Sequence, residues 1–109
     1  MKILRQEFAL LYVIHMNISE INMNSKKVTI EAVVTEKEEP RDINTRYGAT
    51  RIANVKIEDE TGNIKLVLWG DETAKVKEGD KIRLANGFVK EWDGTLQLSV
   101  GKYGKLTVL

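Results

Sequence analysis

A chain of 109 residues has room for one domain rather than two. Its 42% hydrophobic content supports a packed core, and its 30% charged content suits a solvated surface. Seventeen Lys and Arg against sixteen Asp and Glu leave a net charge of +1, so gross electrostatics gives no sign of a polyanionic partner; zero Cys and a single His exclude thiol chemistry, disulfides and any His/Cys zinc cluster.

Lys2 and Arg5 precede the apolar run Phe8-Ala-Leu-Leu-Tyr-Val-Ile14. A bilayer span needs about twenty such residues, and no small-residue cleavage site follows, only His15-Met16-Asn17. Residues 1–17 are read as an N-terminal extension of a domain covering 18–109. Three readings of the extension stay open: an element packing on the domain, a remnant of a preceding domain, or an upstream start with Met16 as the usual first residue. The first is favoured, because exposed Leu10, Leu11 and Val13 would invite aggregation.

From residue 25 onward the apolar residues recur every second position, the period of a half-buried strand. Val28, Ile30, Ala32 and Val34 define a first strand, which Pro40 should end because it cannot donate to a ladder. Residues 38–48 read as a long connection to a second strand carrying Ala53, Val55 and Ile57. Asp59-Glu-Thr-Gly-Asn63 predicts a tight hairpin into a third strand with Ile64, Leu66 and Leu68. The segment 70–79 predicts a short helix, with Asp71 as N-cap, Lys75 and Lys77 in its last turn and Gly79 as terminator. Ile82 and Leu84 open a fourth strand, Asp93-Gly94 signals a two-residue hairpin, and Leu96, Leu98 and Val100 mark a fifth. The fold class expected is all-β: a five-stranded oligonucleotide/oligosaccharide-binding (OB) barrel with one short helix between strands 3 and 4. The main competitor, an SH3-like barrel, normally lacks a helix there.

Strand parity separates inner from outer side chains. Pairing Ile57 with Ile64 sets Val55 against Leu66 and Ala53 against Leu68, a wholly apolar face. The opposite face carries Ile52, Asn54 and Lys56 on one strand and Lys65, Val67 and Trp69 on the next. There Lys56 lies opposite Lys65, an unfavourable pair unless an anion sits nearby, and Trp69 shares parity with lysines. On the fourth strand, strict alternation would put Phe88 in the core with Ile82 and Leu84. A bulge at Gly87 instead turns Phe88, Lys90 and Trp92 outward as an aromatic–basic–aromatic stripe. The bulge is preferred to an Asn86-Gly87 hairpin turn, since Asp93-Gly94 already supplies the hairpin.

The near-zero charge conceals opposed patches. Residues 41–57 hold Arg41, Arg46, Arg51 and Lys56 against Asp42 alone, whereas 58–60 and 71–80 are net acidic. A basic loop flanking an aromatic face is the pattern of single-strand binders: phosphates follow the positive groove and bases stack on rings. The candidate stacking residues are Trp69, Phe88 and Trp92. The candidate phosphate or base-edge contacts are Arg46, Tyr47, Arg51, Asn54, Lys56, Lys65 and Lys90.

Five segments resemble the archaeal single-stranded DNA-binding proteins and the DNA-binding domains of replication protein A. They are Asp59-Glu-Thr-Gly62, Ile64-Lys-Leu-Val-Leu-Trp-Gly70, Val76-Lys-Glu-Gly-Asp80, Asn86-Gly-Phe88 and Trp92-Asp-Gly-Thr-Leu-Gln-Leu98, spread over roughly residues 18–101. The resemblance implies base stacking by Trp69, Phe88 and Trp92. Some relatives carry a further aromatic where this chain has Ser99. It also implies non-catalytic, largely sequence-independent binding of single-stranded DNA in replication, recombination or repair. The setting implied is cytoplasmic and DNA-associated, without cofactor or membrane, and with other replication protein A domains or subunits as further partners.

An RNA-binding OB domain and a protein-interaction OB subunit of a replication complex remain alternatives. An enzyme is disfavoured. His15 is the sole imidazole, the acidic clusters 38–39, 58–60 and 71–72 fall at turns, and no Gly-x-x-x-x-Gly-Lys-Ser/Thr loop exists. Gly101-Lys-Tyr-Gly104 matches the Gly-x-x-Gly of an RNA-binding helical module but lacks its flanking helices, and reads as the end of strand five.

Overall fold

The computed structural model describes residues 16–109; the apolar run 8–14 and His15 lie outside them. Seven strands are described: β1 (Val28–Lys37), β2 (Arg41–Thr45), β3 (Gly48–Asp59), β4 (Gly62–Trp69), β5 (Lys81–Trp92), β6 (Thr95–Ser99) and β7 (Lys105–Val108). Hydrogen bonding runs β1-β3-β4-β6-β5, and β5 returns to β1, so five strands close a ring. Those five are the strands expected from the sequence. The parallel pair is β4 with β6.

The alternation fixes what fills the ring. Val28, Ile30, Ala32 and Val34 point inward, and Ile57, Leu66, Leu68, Ile82, Leu84 and Leu98 are almost wholly buried with them. Each buried Val, Leu or Ile side chain contributes roughly 1.5–3 kcal/mol of transfer free energy. The expected pairs Ile57–Ile64, Val55–Leu66 and Ala53–Leu68 occur as read, and so does Lys56–Lys65.

Closure depends on two bulges. In β1 the register slips between Val34 and Glu36, so the strand pairs with β5 through its first half and with β3 through its second. In β5 the slip falls between Leu84, opposite Ile30, and Gly87, opposite Val28. Asn86 takes the left-handed conformation there (φ 56°), which Asn tolerates better than most residues, and its N–H donates to the Thr29 hydroxyl at 3.3 Å. The expected bulge is present, with Val89 turned inward and Phe88 outward.

Three expectations need correction. The connection 38–48 is not a long loop: β2 and β3 form a hairpin in register from Arg41–Ile52 to Thr45–Gly48. At its tip the Thr45 hydroxyl accepts from the Tyr47 N–H and donates to the Gly48 carbonyl. The helix expected over 70–79 is only a 3-10 turn, Gly70–Ala74, with Trp69 rather than Asp71 at the cap position. So short a segment offers too few bonds to repay helix nucleation. Instead the Thr73 hydroxyl bonds the Gly70 carbonyl, and Lys77 N–H bonds Asp80. Finally, 101–104 does not end the last strand. It is a bend, after which β7 continues antiparallel to β5.

Asp59 ties the chain before β1 to the ring. Its Oδ1 accepts from the Thr61 hydroxyl (2.6 Å), the Thr61 N–H (2.7 Å) and the Gly62 N–H (3.2 Å), while Oδ2 accepts from the Ile18 N–H at 2.9 Å. Ile18 and Ile21 are thereby held in the core. Desolvation pushes this carboxyl up, but the hydrogen bonds together outweigh it and hold Asp59 below its ordinary value of 3.8. A lowered folded pKa contributes stability that is complete above the unfolded value and is lost as pH falls through the folded one. Asp59→Asn should therefore lower stability at pH 7 by roughly 1 kcal/mol. Its melting temperature should also decline less than that of the parent as pH falls below about 4; thermal melts across pH read both effects.

Gly87 is required by space. A Cβ there would lie 2.6 Å from Leu84 Cδ2 and 3.3 Å from the Val28 carbonyl oxygen. Gly87→Ala should cost roughly 1–3 kcal/mol, the overpacking range. At about 4–8 °C per kcal/mol for a domain near this size, a clear fall in melting temperature should follow.

Candidate nucleic-acid interface

Four strands, β3, β4, β6 and β5, lay their outward side chains in register. One row runs Asn54–Val67–Ser99–Phe88 and the next runs Lys56–Lys65–Gln97–Lys90. At one end of this face Trp69 pairs with Ile52, which pairs on its other side with Arg41. At the other end Trp92 pairs with Thr95 beside the Asp93-Gly94 turn, both of whose residues have positive φ, as a two-residue hairpin of this kind demands.

The three candidate stacking rings all reach solvent: Trp69 is 41% exposed, Phe88 52% and Trp92 69%. Each has a local cause. Trp69 ends β4, where its N–H donates to Glu72 Oε1 at 3.1 Å and Gly70 turns the chain away at φ 60°. Phe88 is turned out by the bulge. Trp92, four residues further along a rigid strand, stands about 13 Å from it. Between Phe88 and Asn54 lie only Val67 and Ser99, short side chains that leave the middle of the face low. Val67 is itself buried despite its outward parity, mid-sheet between Asn54 and Ser99.

A cleft of about 660 Å³ runs past Asn54, Lys56 and Lys65 to Gly94 and Thr95, with Glu36 and Glu38 on its β1 side. Those acids answer the like-charge pair. Lys56 Nζ lies 3.8 Å from Glu36 Oε2, and Asn54 Nδ2 donates to Glu38 Oε1 at 3.0 Å. Lys65 and Lys90 have no ion-pair partner among the described residues.

The basic residues of the β2–β3 hairpin divide. Arg46 and Tyr47 occupy its tip, beyond the Thr45–Gly48 pair that lies four residues, about 13 Å, past the Trp69 row. There Tyr47 is 89% exposed, with the Arg46 guanidinium 5.9 Å from its ring centroid. Arg51 alternates to the side opposite Ile52 and is engaged with Asp42 at 3.3 Å. Arg41, which the sequence reading counted only as part of a basic stretch, falls in the Trp69 row. Only the hairpin register, invisible in residues taken for a loop, could have placed it. Two other cations belong to the fold: Lys37 Nζ donates to the Thr73 and Val76 carbonyls, and Lys75 Nζ to the Leu106 carbonyl.

No group of three or more His, Cys, Asp or Glu among the described residues is placed to hold a metal ion, and no helix among them is long and apolar enough to cross a membrane. The chain is 36% identical over 85 residues to the single-stranded DNA binding protein Ssb of Saccharolobus solfataricus, an alignment covering 78% of this chain and 56% of that one. It is 30% identical over 67 residues to replication factor A of Methanothermobacter thermautotrophicus, covering 60% of this chain and 8% of that one. It therefore spans about half the length of the first relative and under a tenth of the second. The second OB-fold domain of replication protein A from Methanococcus maripaludis superposes with a TM-score of 0.72 at 26% identity, covering 87% of this chain and 94% of that one. A family profile described as an OB-fold nucleic acid binding domain matches residues 28–106, and the chain belongs to that family.

Proposed function

We propose that this domain binds single-stranded DNA without catalysis and with little sequence preference, in replication, recombination or repair. The observation that carries the reading is the register-aligned face, with exposed rings at Trp69, Phe88 and Trp92 and, in the row between the last two, Lys65 and Lys90, which have no ion-pair partner among the described residues. A ring stacks on any base, and an ammonium neutralises any phosphate, so affinity of this kind does not read sequence. The similarity to the Ssb protein of S. solfataricus supports the same reading. No cofactor is called for. A single strand in the cytoplasm is the ligand, and further domains or subunits of the replication protein A type are the natural partners.

Titration with oligo-dT should quench the fluorescence of Trp69 and Trp92. Trp69→Ala and Trp92→Ala should each lose roughly 1–3 kcal/mol, or about 5- to 150-fold in Kd, equally for every base composition. An unquenched titration would overturn the reading. If about three to five cations of the face and hairpin engage phosphates, log Kd should vary with log salt at a slope of about 2 to 3.5 in magnitude, from about 0.7 per contact.

The Glu36 and Glu38 carboxylates compete with phosphate for Lys56 and Asn54. The double variant Glu36→Gln/Glu38→Gln should bind oligo-dT more tightly than the parent at low salt. The gain should vanish toward about 1 M salt, where screening shortens to about 3 Å.

A further inference from the structure

Beyond Phe88 the surface holds a second cleft, separate from the lysine row. Its volume is about 670 Å³, inside the range of roughly 300–1,000 Å³ typical of ligand pockets. Phe88 and Tyr103 supply its rings, Lys27 and Lys102 its charge and Asn86 its amide; no acid lines it. Tyr103 is 80% exposed, with the Lys102 ammonium 5.5 Å from its ring centroid.

The bend that carries Lys102 and Tyr103 is enforced by its glycines. Gly101 has φ 73°, and a Cβ built on it would lie 3.3 Å from Phe88 Cβ, so the bend leaves the sheet directly against the Phe88 backbone. A Cβ on Gly104 would fall 1.8 Å from the Val100 carbonyl oxygen. Gly104 has no room for a side chain and Gly101 would take one only under strain, and the two residues between them are exposed. Lys27, across the cleft, is also held in the left-handed region at φ 52°. Two constrained segments thus present two ammonium groups and a tyrosine ring beside a phenylalanine that already belongs to the DNA-binding face. Because β4 and β6 are parallel and pair at Val67–Ser99, the residues two further along are Trp69 and Gly101, so the bend lies at the Trp69 end of that face.

The geometry points to a further nucleotide subsite: the cleft takes one nucleotide of the bound strand, its base against Tyr103 and its phosphate at Lys102 and Lys27. This rests on the reading of the domain as a single-strand binder and extends its path past Phe88, opposite to Trp92. The chemistry is that of a stacked base with a neutralised phosphate.

The test is titration of the full chain, followed by tryptophan quenching, with oligo-dT graded from about 4 to about 16 nucleotides, the span of OB-fold site sizes. Tyr103→Ala and Lys102→Ala should weaken binding of the longer oligomers, Tyr103→Ala by roughly fivefold or more. Both should match the parent on the shortest oligomers, which the Trp69–Phe88–Trp92 stretch holds alone. The length at which affinity saturates should shorten accordingly, and Tyr103→Trp should add a signal quenched by long oligomers only. Because both side chains are exposed, melting temperatures should not move. Parent-like affinity of Tyr103→Ala at every length, with parent quenching intact, overturns the subsite and leaves the proposed function standing. Absence of quenching in the parent overturns both.

Discussion

The single extra residue in β5 is the constraint on which the rest depends. Up to Leu84 the even-numbered side chains face the core; after the bulge at Asn86 and Gly87, the odd-numbered Val89 does so and the even-numbered Phe88, Lys90 and Trp92 face solvent. Without it, two rings and a lysine would be driven into a ring already filled by Leu66, Leu98 and Val28, and the outer face would receive Val89. The bulge also bends the strand so that one half can pair with β1 and the other with β6, closing the sheet. Fold closure and the candidate ligand face thus come from the same local device, at a position crowded by Leu84 and the Val28 carbonyl, which occupy the space of its Cβ.

How much of this the sequence disclosed depends on whether a residue's environment is one-sided. Ala53, Val55 and Ile57 face a core, so alternation fixes both their direction and their partners, and the turn at 59–62 fixes the register. Asn86 and the Asp93-Gly94 pair are legible because few residues tolerate positive φ, and Gly87 because glycine is the usual residue where backbones crowd. The β2–β3 hairpin is solvated on both sides over most of its length, with Ile43 only half-buried, so no apolar period announces it. Arg41 and Arg51 consequently could not be assigned to opposite sides. The pair Gly101 and Gly104 did carry a signal, but its cause is a carbonyl contact within the bend, which spacing alone does not separate from an ordinary strand end.

The cations show why composition is a poor guide to a binding surface. Lys37 and Lys75 bond backbone carbonyls, Arg83 pairs with Glu31 at 2.8 Å, Arg51 with Asp42 and Lys56 more loosely with Glu36. A residue that caps an otherwise unsatisfied carbonyl is committed to the fold. An exposed pair such as Lys56–Glu36, worth about 0–1 kcal/mol, is open to exchange for a phosphate. The net charge of +1 counts both kinds alike.

That distinction also bears on the balance of forces at the proposed interface. With Lys65 and Lys90 without ion-pair partners among the described residues and Arg41 and Arg46 toward the hairpin, few phosphates can be neutralised at once, and at physiological salt each contact is screened beyond about 8 Å. In the proposed binding mode stacking then carries most of the affinity, and stacking on mobile rings would lose much of its value to ordering. Here the backbone that carries each ring is already held. The Trp69 backbone is held by the Glu72 hydrogen bond to its N–H and by the turn at Gly70, that of Phe88 by a bulge that cannot relax past Leu84, and that of Trp92 by the two-residue hairpin that follows it. A strand laid across them meets rings whose backbone positions are set before it arrives, so that less of each base's stacking energy is lost in organising the protein.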